Sequence, residues 1–342
     1  MADRLPESVL PAFYVTASRE FDLAADHEGL VERFLRFGDR TVRLRSAGAR
    51  LAGTLLGAFA EQSNDSANGA VHATISLWEA AACPAGSAPI PWRWSDVGPG
   101  GLVRGPETDR LLAVHETCSG ALTLINAGGT AILHRVPHSS AVPWWERAAP
   151  LRPSLFWALG GNGRHLVHAG AVGDDRRGVL LVGARGSGKT TTALAALNHG
   201  LRFVADDYLL LNVAKRSEAV SLYNTASISA GPDAAEKPDA AEKTVLDVAS
   251  LMPGALCESL PVCAVIAPRI RGGRAHVRRV HPGVVLRAWA PSTVFQMPFD
   301  DGAVVASLAD VVRTVPCFTL DVGDDEAELA SAVAQVVEQA ML

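Results

Sequence analysis

Cysteine and long apolar segments are both scarce in this chain of 342 residues. The five cysteines are scattered and show no paired zinc-site spacing or disulfide framework, so the sequence indicates a reduced chain. No run of about 18 apolar residues occurs, and no membrane-spanning helix is predicted. The first residues contain acids and prolines where a secretion signal needs an unbroken apolar stretch. We therefore expect a cytoplasmic protein without a membrane partner.

An excess of positive charge is also absent. The chain carries 31 basic and 36 acidic residues, which gives a formal net charge of -5. A nucleic-acid-binding protein normally carries a basic surplus that neutralises phosphates, so no nucleic-acid partner is expected. What is present is an ordinary globular composition, with 48% apolar and 20% charged residues. This composition predicts a folded chain, and its length favours two domains.

The sequence pattern changes near Trp144, which predicts domains at 1–143 and 144–342. In the first part, five short alternating segments are typical of strands, one helix is predicted at 27–38, and 81–105 reads as a long loop. The predicted strands are 41–47, 70–80, 110–116, 120–126 and 130–136, with a hairpin turn at Gly128-Gly129. We expect a small α+β domain that contributes no chemistry.

The second part predicts an α/β domain. Residues 144–165 favour a helix or a helix pair, after which strands and helices alternate, and this alternation is typical of a parallel sheet with βαβ units. The predicted strands are 165–173, 178–183, 201–207, 209–213, 260–270, 276–280 and 316–323. Helices are predicted at 188–199 and 325–342.

The strongest signal is a phosphate-binding loop at 183–190. Its residues, GARGSGKT, fit G-x-x-x-x-G-K-[ST] at every fixed position, between an apolar strand and a predicted helix. Backbone N–H groups in such a loop surround a phosphate, and the helix N-terminus adds partial positive charge. Lys189 is predicted to reach the terminal phosphates from a solvent-facing position, and the Thr190 hydroxyl to bind Mg²⁺. The predicted nucleotide contacts are Gly183, Ala184, Arg185, Gly186, Ser187, Gly188, Lys189, Thr190 and Thr191.

Two adjacent carboxylates, Asp206 and Asp207, end a predicted strand 17 and 18 residues after the loop lysine. Ligands of open α/β sheets bind at the carboxyl ends of strands, so this pair should face the phosphates. We expect one carboxylate to hold Mg²⁺ and the other to accept the proton of an attacking hydroxyl. Neighbouring carboxylates repel each other, so one pKa should rise. Neither the guanine-reading Asn-Lys-x-Asp motif nor the Leu-Ser-Gly-Gly-Gln signature of ABC-type ATPases occurs.

The stretch from His168 to Asp207 resembles the catalytic core of the HPr kinase/phosphorylase family and its serine-kinase relatives. A histidine 15 residues before the loop, the apolar strand that enters the loop, and a Val-Ala-Asp-Asp segment all match. The resemblance implies a P-loop kinase domain of HPr-kinase type that uses ATP and Mg²⁺. It implies Asp207 as the general base, Asp206 as a metal or positioning carboxylate, and His168 near the transferred phosphoryl group.

The chain departs from the bifunctional members of that family. It lacks their Arg-Gly-Leu-Gly signature, and Thr191 stands where glutamate is typical. These differences argue against phosphorolysis and against HPr as acceptor. The chain looks more like the peptide-serine kinases of ribosomal (lasso-type) peptide biosynthesis clusters, which implies transfer of the γ-phosphoryl group to a precursor-peptide serine. A small-molecule kinase for a serine-like hydroxyl and a non-catalytic, ATP-gated module for a biosynthetic partner are the alternatives. A homo-oligomer is compatible with each.

The sequence alone does not decide the role of three further features. The hexapeptide PDAAEK is repeated at 232–237 and 238–243, which we interpret as a surface loop before a short helix at 244–251. Lys243, one of only four lysines, is a candidate for a position near the γ-phosphate. A group of arginines around Gly272-Gly273 is either a solvated hairpin or a grip for carboxylate or phosphate. These are Arg269, Arg271, Arg274, Arg278 and Arg279.

Overall fold

The structure is a computed structural model that describes residues 6, 8–59, 62–67, 69–103, 111–214, 216–229, 243–296 and 302–340. The tandem PDAAEK segment lies outside these residues, except for Lys243. The chain forms two compact units, Met1–Ala158 and Leu159–Leu342. The sequence prediction divides the chain at 143/144, before the short helices that end the first unit. No helix in the described ranges has both the length and the apolar surface needed to cross a bilayer.

The first unit is a mixed sheet with helices. Its strands run in the order β3-β1-β2-β4-β7-β6-β5. β4 runs parallel to its two neighbours, β2 and β7, and the other pairings are antiparallel. Its elements are α1 (Val9–Glu28), β1 (Leu30–Phe37), β2 (Arg40–Ala47), α2 (Ala49–Leu56), β3 (Ser63–Asn64), β4 (Val71–Glu79), β5 (Leu111–His115), β6 (Leu122–Asn126), β7 (Ala131–Val136), α3 (Trp144–Ala148) and α4 (Arg152–Leu159).

The five strands predicted for this unit are present, and β6 and β7 pair across the predicted Gly128-Gly129 turn. The predicted helix at 27–38 is wrong, because residues 30–37 form β1 and pair with β2 along their whole length, while 27 and 28 end α1. Gly29 and Gly38 have φ of 83° and 60°, conformations that bound the strand and do not continue a helix. The alternation that buries Leu35 and Phe37 is therefore a strand pattern.

The second unit is a sheet covered by helices on two faces. Its elements are β8 (Arg164–His168), β9 (Gly170–Gly173), β10 (Gly178–Leu181), α5 (Lys189–Asn198), β11 (Arg202–Ala205), β12 (Tyr208–Asn212), β13 (Glu218–Ser221), β14 (Thr225–Ser229), β15 (Lys243–Asp247), α6 (Val248–Leu251), β16 (Ser259–Ile270), β17 (His276–Arg279), α7 (Pro282–Gln296), α8 (Ala303–Thr314), β18 (Cys317–Val322) and α9 (Glu326–Gln339). Residues of α5 and α9 pack with Val179 and Leu181 of β10. Residues of α7 and α8 pack with Leu180 and Val182. The successive apolar residues of this strand thus face two different layers.

The predicted parallel sheet is wrong for most of this unit. The strand order is β11-β9-β10-β16-β13-β12-β8, and β18 pairs with both β16 and β17. Among the strands of the described residues in this unit, only β10 and β18 run parallel to a neighbour, which is β16 in both cases. Short connections such as 174–177, between β9 and β10, allow antiparallel pairing, whereas parallel pairing needs a longer crossover.

Two other predictions on this unit are corrected. Residues 243–247 form β15, which pairs with β14, so the predicted helix at 244–251 is reduced to its last turn, α6. The arginines around Gly272-Gly273 do not lie on a hairpin, because β16 and β17 each pair with β18 instead of with each other. Arg278 is bound to Asp321 at 2.8 Å, and Arg274 to Glu328 at 2.9 Å.

Two neighbouring strand segments are interrupted at the same place, and this interruption creates the candidate site. β8 and β9 are separated by Ala169, and β11 and β12 by Asp206 and Asp207. The Ala169 N–H donates a 3.1 Å hydrogen bond to the Asp207 carbonyl, which keeps the strands together across the break. A Cβ on Gly170 would lie 2.9 Å from the Asp206 carbonyl oxygen. Only glycine therefore allows this approach.

We expect Gly170→Ala to lower the free energy of unfolding of this unit by about 1–3 kcal/mol, because the added methyl group meets fixed backbone. Gly283→Ala at the start of α7 is the matched control. Its methyl group would meet the exposed His281 ring at 3.3 Å, and that ring can move. Denaturant unfolding of both variants checks the difference, and equal stabilities would contradict the close contact at Gly170.

Candidate active site

The phosphate loop (183–190) connects β10 to α5, as the strand–loop–helix pattern predicts. Gly183, Gly186 and Gly188 have φ of 141°, 77° and 103°, values that side-chain-bearing residues rarely adopt. At Gly188, which caps α5, a Cβ would also lie 2.9 Å from Val322. The positive φ and the close approach of Val322 therefore both require glycine at this cap.

Lys189 is buried, and the prediction that it faces solvent is wrong. Its side chain folds back over the loop, where Nζ donates hydrogen bonds to the carbonyls of Gly183 at 2.9 Å and Ala184 at 3.2 Å. Burial lowers the pKa of Lys189, while the negative charges of Asp207 and Asp206 act in the opposite direction. The loop thus satisfies the ammonium group internally, with the acidic pair close enough to influence it.

Asp206 lies at the buried end of the acidic pair, with 2% of its surface exposed. Its Oδ2 accepts a 3.0 Å hydrogen bond from the Ser227 backbone N–H, whereas Oδ1 has no hydrogen-bond partner among the described residues. Burial and the neighbouring Asp207 charge raise the pKa of Asp206 to about 7. The Ser227 amide, the Thr190 hydroxyl and the Lys189 ammonium limit this rise.

Asp207 lies beside a buried histidine. Its Oδ1 is 3.7 Å from Nε2 of His168, and about a third of its side chain is exposed (32%). Burial would raise the pKa of Asp207, but His168 and the charges of Lys189 and Lys243 outweigh this effect and lower it to about 2. The predicted rise in the pKa of one carboxylate is confirmed. The raised pKa belongs to Asp206, however, and not to Asp207, the expected general base.

The orientation of His168 comes from residues that the sequence patterns do not indicate. Its backbone N–H donates a 3.3 Å hydrogen bond to the Thr293 hydroxyl of α7. Its ring lies 5.4 Å, centroid to centroid, from that of Tyr208, whose hydroxyl donates a 2.7 Å hydrogen bond to Gln296. Thr293 and Gln296 have no motif of their own, and only the packing of α7 on the sheet brings them here.

The remaining loop residues differ in accessibility. Ala184, Arg185 and Gly186 are exposed at the turn of the loop, and Ser187 is half-buried. Thr190 is half-buried beside Asp206, while Thr191 is exposed on the first turn of α5. The structure therefore brings Lys189, Thr190, both aspartates and His168 together. Thr191 lies on the outside of this group.

The donor set fits Mg²⁺ better than a metal held by the protein alone. Within the described residues, no group of three or more His, Cys, Asp or Glu side chains could hold a metal ion. Mg²⁺ in nucleotide sites typically uses one or two protein oxygens and completes its shell with phosphates and water. The buried, unpaired Oδ1 of Asp206 and the nearby Thr190 hydroxyl supply such oxygens.

The raised pKa of Asp206 predicts a specific pH dependence of stability. The folded chain keeps a proton on Asp206 between about pH 4 and pH 7 that the unfolded chain releases, so stability falls as pH rises through this range. We expect Asp206→Asn to remove part of this fall and to gain stability relative to the wild-type chain between about pH 5 and pH 8. Thermal unfolding in EDTA without nucleotide measures the effect. Asp310→Asn, an exposed change on α8, should follow the wild type, and an Asp206→Asn curve parallel to the wild type would contradict the assignment.

Comparisons with known proteins give structural likenesses and no family. No protein-family model and no curated protein matches the chain. A solved structure, the HPr(Ser) kinase/phosphatase from Coxiella burnetii, is similar to it with a TM-score of 0.31 and 16% sequence identity. The similarity covers 52% of this chain and 96% of that one.

Proposed function

We propose that the second unit is an ATP-dependent phosphotransferase that moves the γ-phosphoryl group to a hydroxyl. One observation carries this proposal: the phosphate loop and its buried lysine lie beside two adjacent carboxylates with different surroundings. Burial raises the pKa of Asp206, whereas His168 and the lysines lower that of Asp207. A phosphate seated on the loop would meet the Lys189 ammonium and the N-terminus of α5. The acidic pair would then stand beside the phosphate that is transferred.

In the proposed reaction, the acceptor oxygen forms a bond to the γ-phosphorus, and the bond from that phosphorus to the β–γ bridging oxygen breaks. ADP leaves, and the acceptor proton passes to Asp207 or to solvent. A carboxylate with a pKa of about 2 is a weak proton acceptor. In a loose transition state little proton transfer is needed, so Asp207 acts mainly by accepting a hydrogen bond that orients the hydroxyl.

Mg²⁺ would be held by Asp206 and Thr190, and when bound it would neutralise charge on the phosphates. Asp206 contributes a second property. Because its pKa is about 7, it is only partly ionised near neutral pH and then binds a cation less readily than Asp207 would. Raising the pH should therefore favour metal binding at this residue.

We further propose a serine of a peptide as the acceptor, in natural-product biosynthesis. The departures from the bifunctional HPr kinases, such as Thr191 in place of glutamate and the missing Arg-Gly-Leu-Gly signature, support this choice. The exposed turn of the loop and the partly exposed Asp207 agree with it, because a peptide needs an open approach. A free serine-like acceptor would require a closed pocket around Asp207.

Replacing the loop lysine tests the nucleotide site. We expect Lys189→Met to reduce phosphoryl transfer by at least about 10²-fold and to weaken ATP binding, because it removes the charge that faces the phosphates. Methionine keeps the apolar stem of the buried side chain. Arg313→Ala removes an exposed positive charge on α8 and should leave transfer unchanged. Radiolabelled ATP and candidate peptides report transfer, and wild-type turnover by Lys189→Met would exclude the proposal.

Separate substitutions of the two aspartates test their roles. Asp207→Asn should lower the maximal rate while Mg·ATP affinity changes little, because the hydroxyl loses its acceptor. Asp206→Asn should raise the Mg²⁺ concentration needed for half-maximal rate. Initial rates measured against Mg²⁺ separate these outcomes. If excess Mg²⁺ rescues Asp207→Asn and not Asp206→Asn, the two roles are exchanged.

A further inference from the structure

Lys243 opens β15 and lies opposite Ser229 of β14. Two residues earlier on β14, the Ser227 N–H is the donor to Asp206. Alternate residues of a strand are about 6.6–7 Å apart, and paired residues of antiparallel strands about 5 Å. The Cα of Lys243 therefore lies roughly 8 Å from that of Ser227, on the strand paired with the one that binds Asp206. Its partly exposed side chain is long enough to cross this distance.

The charge of Lys243 reaches the centre of the site. The pKa of Asp207, which burial raises, is lowered by His168 and Lys189 and also by Lys243. Burial lowers the pKa of Lys189, and repulsion from Lys243 lowers it further. Lys243 thus acts on both the acidic pair and the loop lysine, although it comes from a different part of the unit.

Two lysines near each other form an arrangement that favours an anion. The ammonium groups of Lys189 and Lys243 repel each other, and this repulsion is relieved when an anion enters between them. A terminal phosphate between the loop and the β14–β15 hairpin is such an anion.

We propose that Lys243 is a second phosphate-binding lysine, which contacts the γ-phosphate during transfer from the side opposite the loop. This inference rests on the proposed kinase function. Charge in phosphoryl transfer is spread over the three equatorial oxygens of the transferred group, and Lys189 can approach only from the loop. An ammonium group from the hairpin stabilises the oxygens on the other side, while the acceptor proton passes to Asp207 or to solvent and ADP leaves.

The test compares Lys243→Met with Lys189→Met. We expect Lys243→Met to lower kcat by about 10²–10³-fold, as for the loss of one charged transition-state donor, while Mg·ADP affinity stays within about twofold. Lys189→Met should weaken both Mg·ADP and Mg·ATP, because the loop lysine also serves the β-phosphate. Calorimetric titration with each nucleotide, together with kcat and KM for ATP and acceptor, separates the two patterns.

A relocated charge is the matched control. Alternate residues of a strand face opposite sides, so Lys243→Thr combined with Thr244→Lys keeps the composition of β15 and turns the ammonium away. This double variant should lose kcat like Lys243→Met, whereas Thr244→Ala, at an exposed position, should keep it. Equal melting temperatures for the wild type and the three variants would show that the hairpin remains folded.

Each other outcome overturns the inference. Wild-type kcat in Lys243→Met excludes a role in transfer. If only the KM for the acceptor rises, Lys243 binds the acceptor. If Mg·ADP affinity falls as much as Mg·ATP affinity, Lys243 supports the structure of the loop. If the wild-type chain binds both nucleotides but phosphorylates no acceptor, the kinase proposal fails. Nucleotide binding alone then tests the role of Lys243: Lys243→Met must lower the affinity for Mg·ATP and leave the affinity for Mg·ADP unchanged.

Discussion

The close contact between Gly170 and the Ala205–Asp206 backbone is the constraint on which the rest of the site depends. The β9–β11 and β8–β12 ladders both end here. Residues 169 and 170 on one side, and 206 and 207 on the other, are left out of these ladders, and the Ala169–Asp207 backbone hydrogen bond joins the strands instead. The break turns the two aspartates toward the end of β10, where the phosphate loop begins. A continuous ladder would direct alternate residues to opposite faces of the sheet. Adjacent carboxylates can share one site only because the strand is interrupted.

The interruption also determines the electrostatics. Asp206 is buried against the Ser227 amide and shares its surroundings with a second carboxylate, so its neutral form is stabilised. Asp207, one residue further, meets His168 and two lysines and stays charged. Chemically identical neighbours therefore acquire different properties from their positions along one bend of the chain. Perturbed pKa values of this kind cluster at functional sites.

The sequence predicts the local parts of this site better than the topology that assembles them. The loop glycines and Lys189 follow from a motif whose chemistry is contained in eight consecutive residues, and the acidic pair follows from its position at a strand end. The burial of Lys189 does not follow, because its partners are carbonyls of the loop itself, which carry no residue-specific signal. The same holds for the Ser227 amide and for the contact between Thr293 and the His168 backbone.

The parallel sheet was mispredicted for a related reason. Apolar runs such as those of β9 and β10 are buried on both faces, so they resemble central parallel strands whichever way they run. Direction is decided by connection length, and the four residues 174–177 leave no room for a crossover. In the first unit, the segment 30–37 fits helical spacing through Leu30 and Phe34, and pairing with β2 decides in favour of a strand.

The position of β9 between β10 and β11 explains how a mixed sheet can form the proposed phosphate site. β9 runs against both neighbours, so β10 and β11 point the same way and their carboxyl ends reach one edge. The phosphate loop leaves the first of these ends, and the acidic pair leaves the second. Two layers of helices hold the edge, with α5 directing its N-terminus to the loop and α7 fixing His168 through Thr293. Positioning by this rigid frame, more than the basicity of Asp207, is what the site would contribute to the proposed phosphoryl transfer.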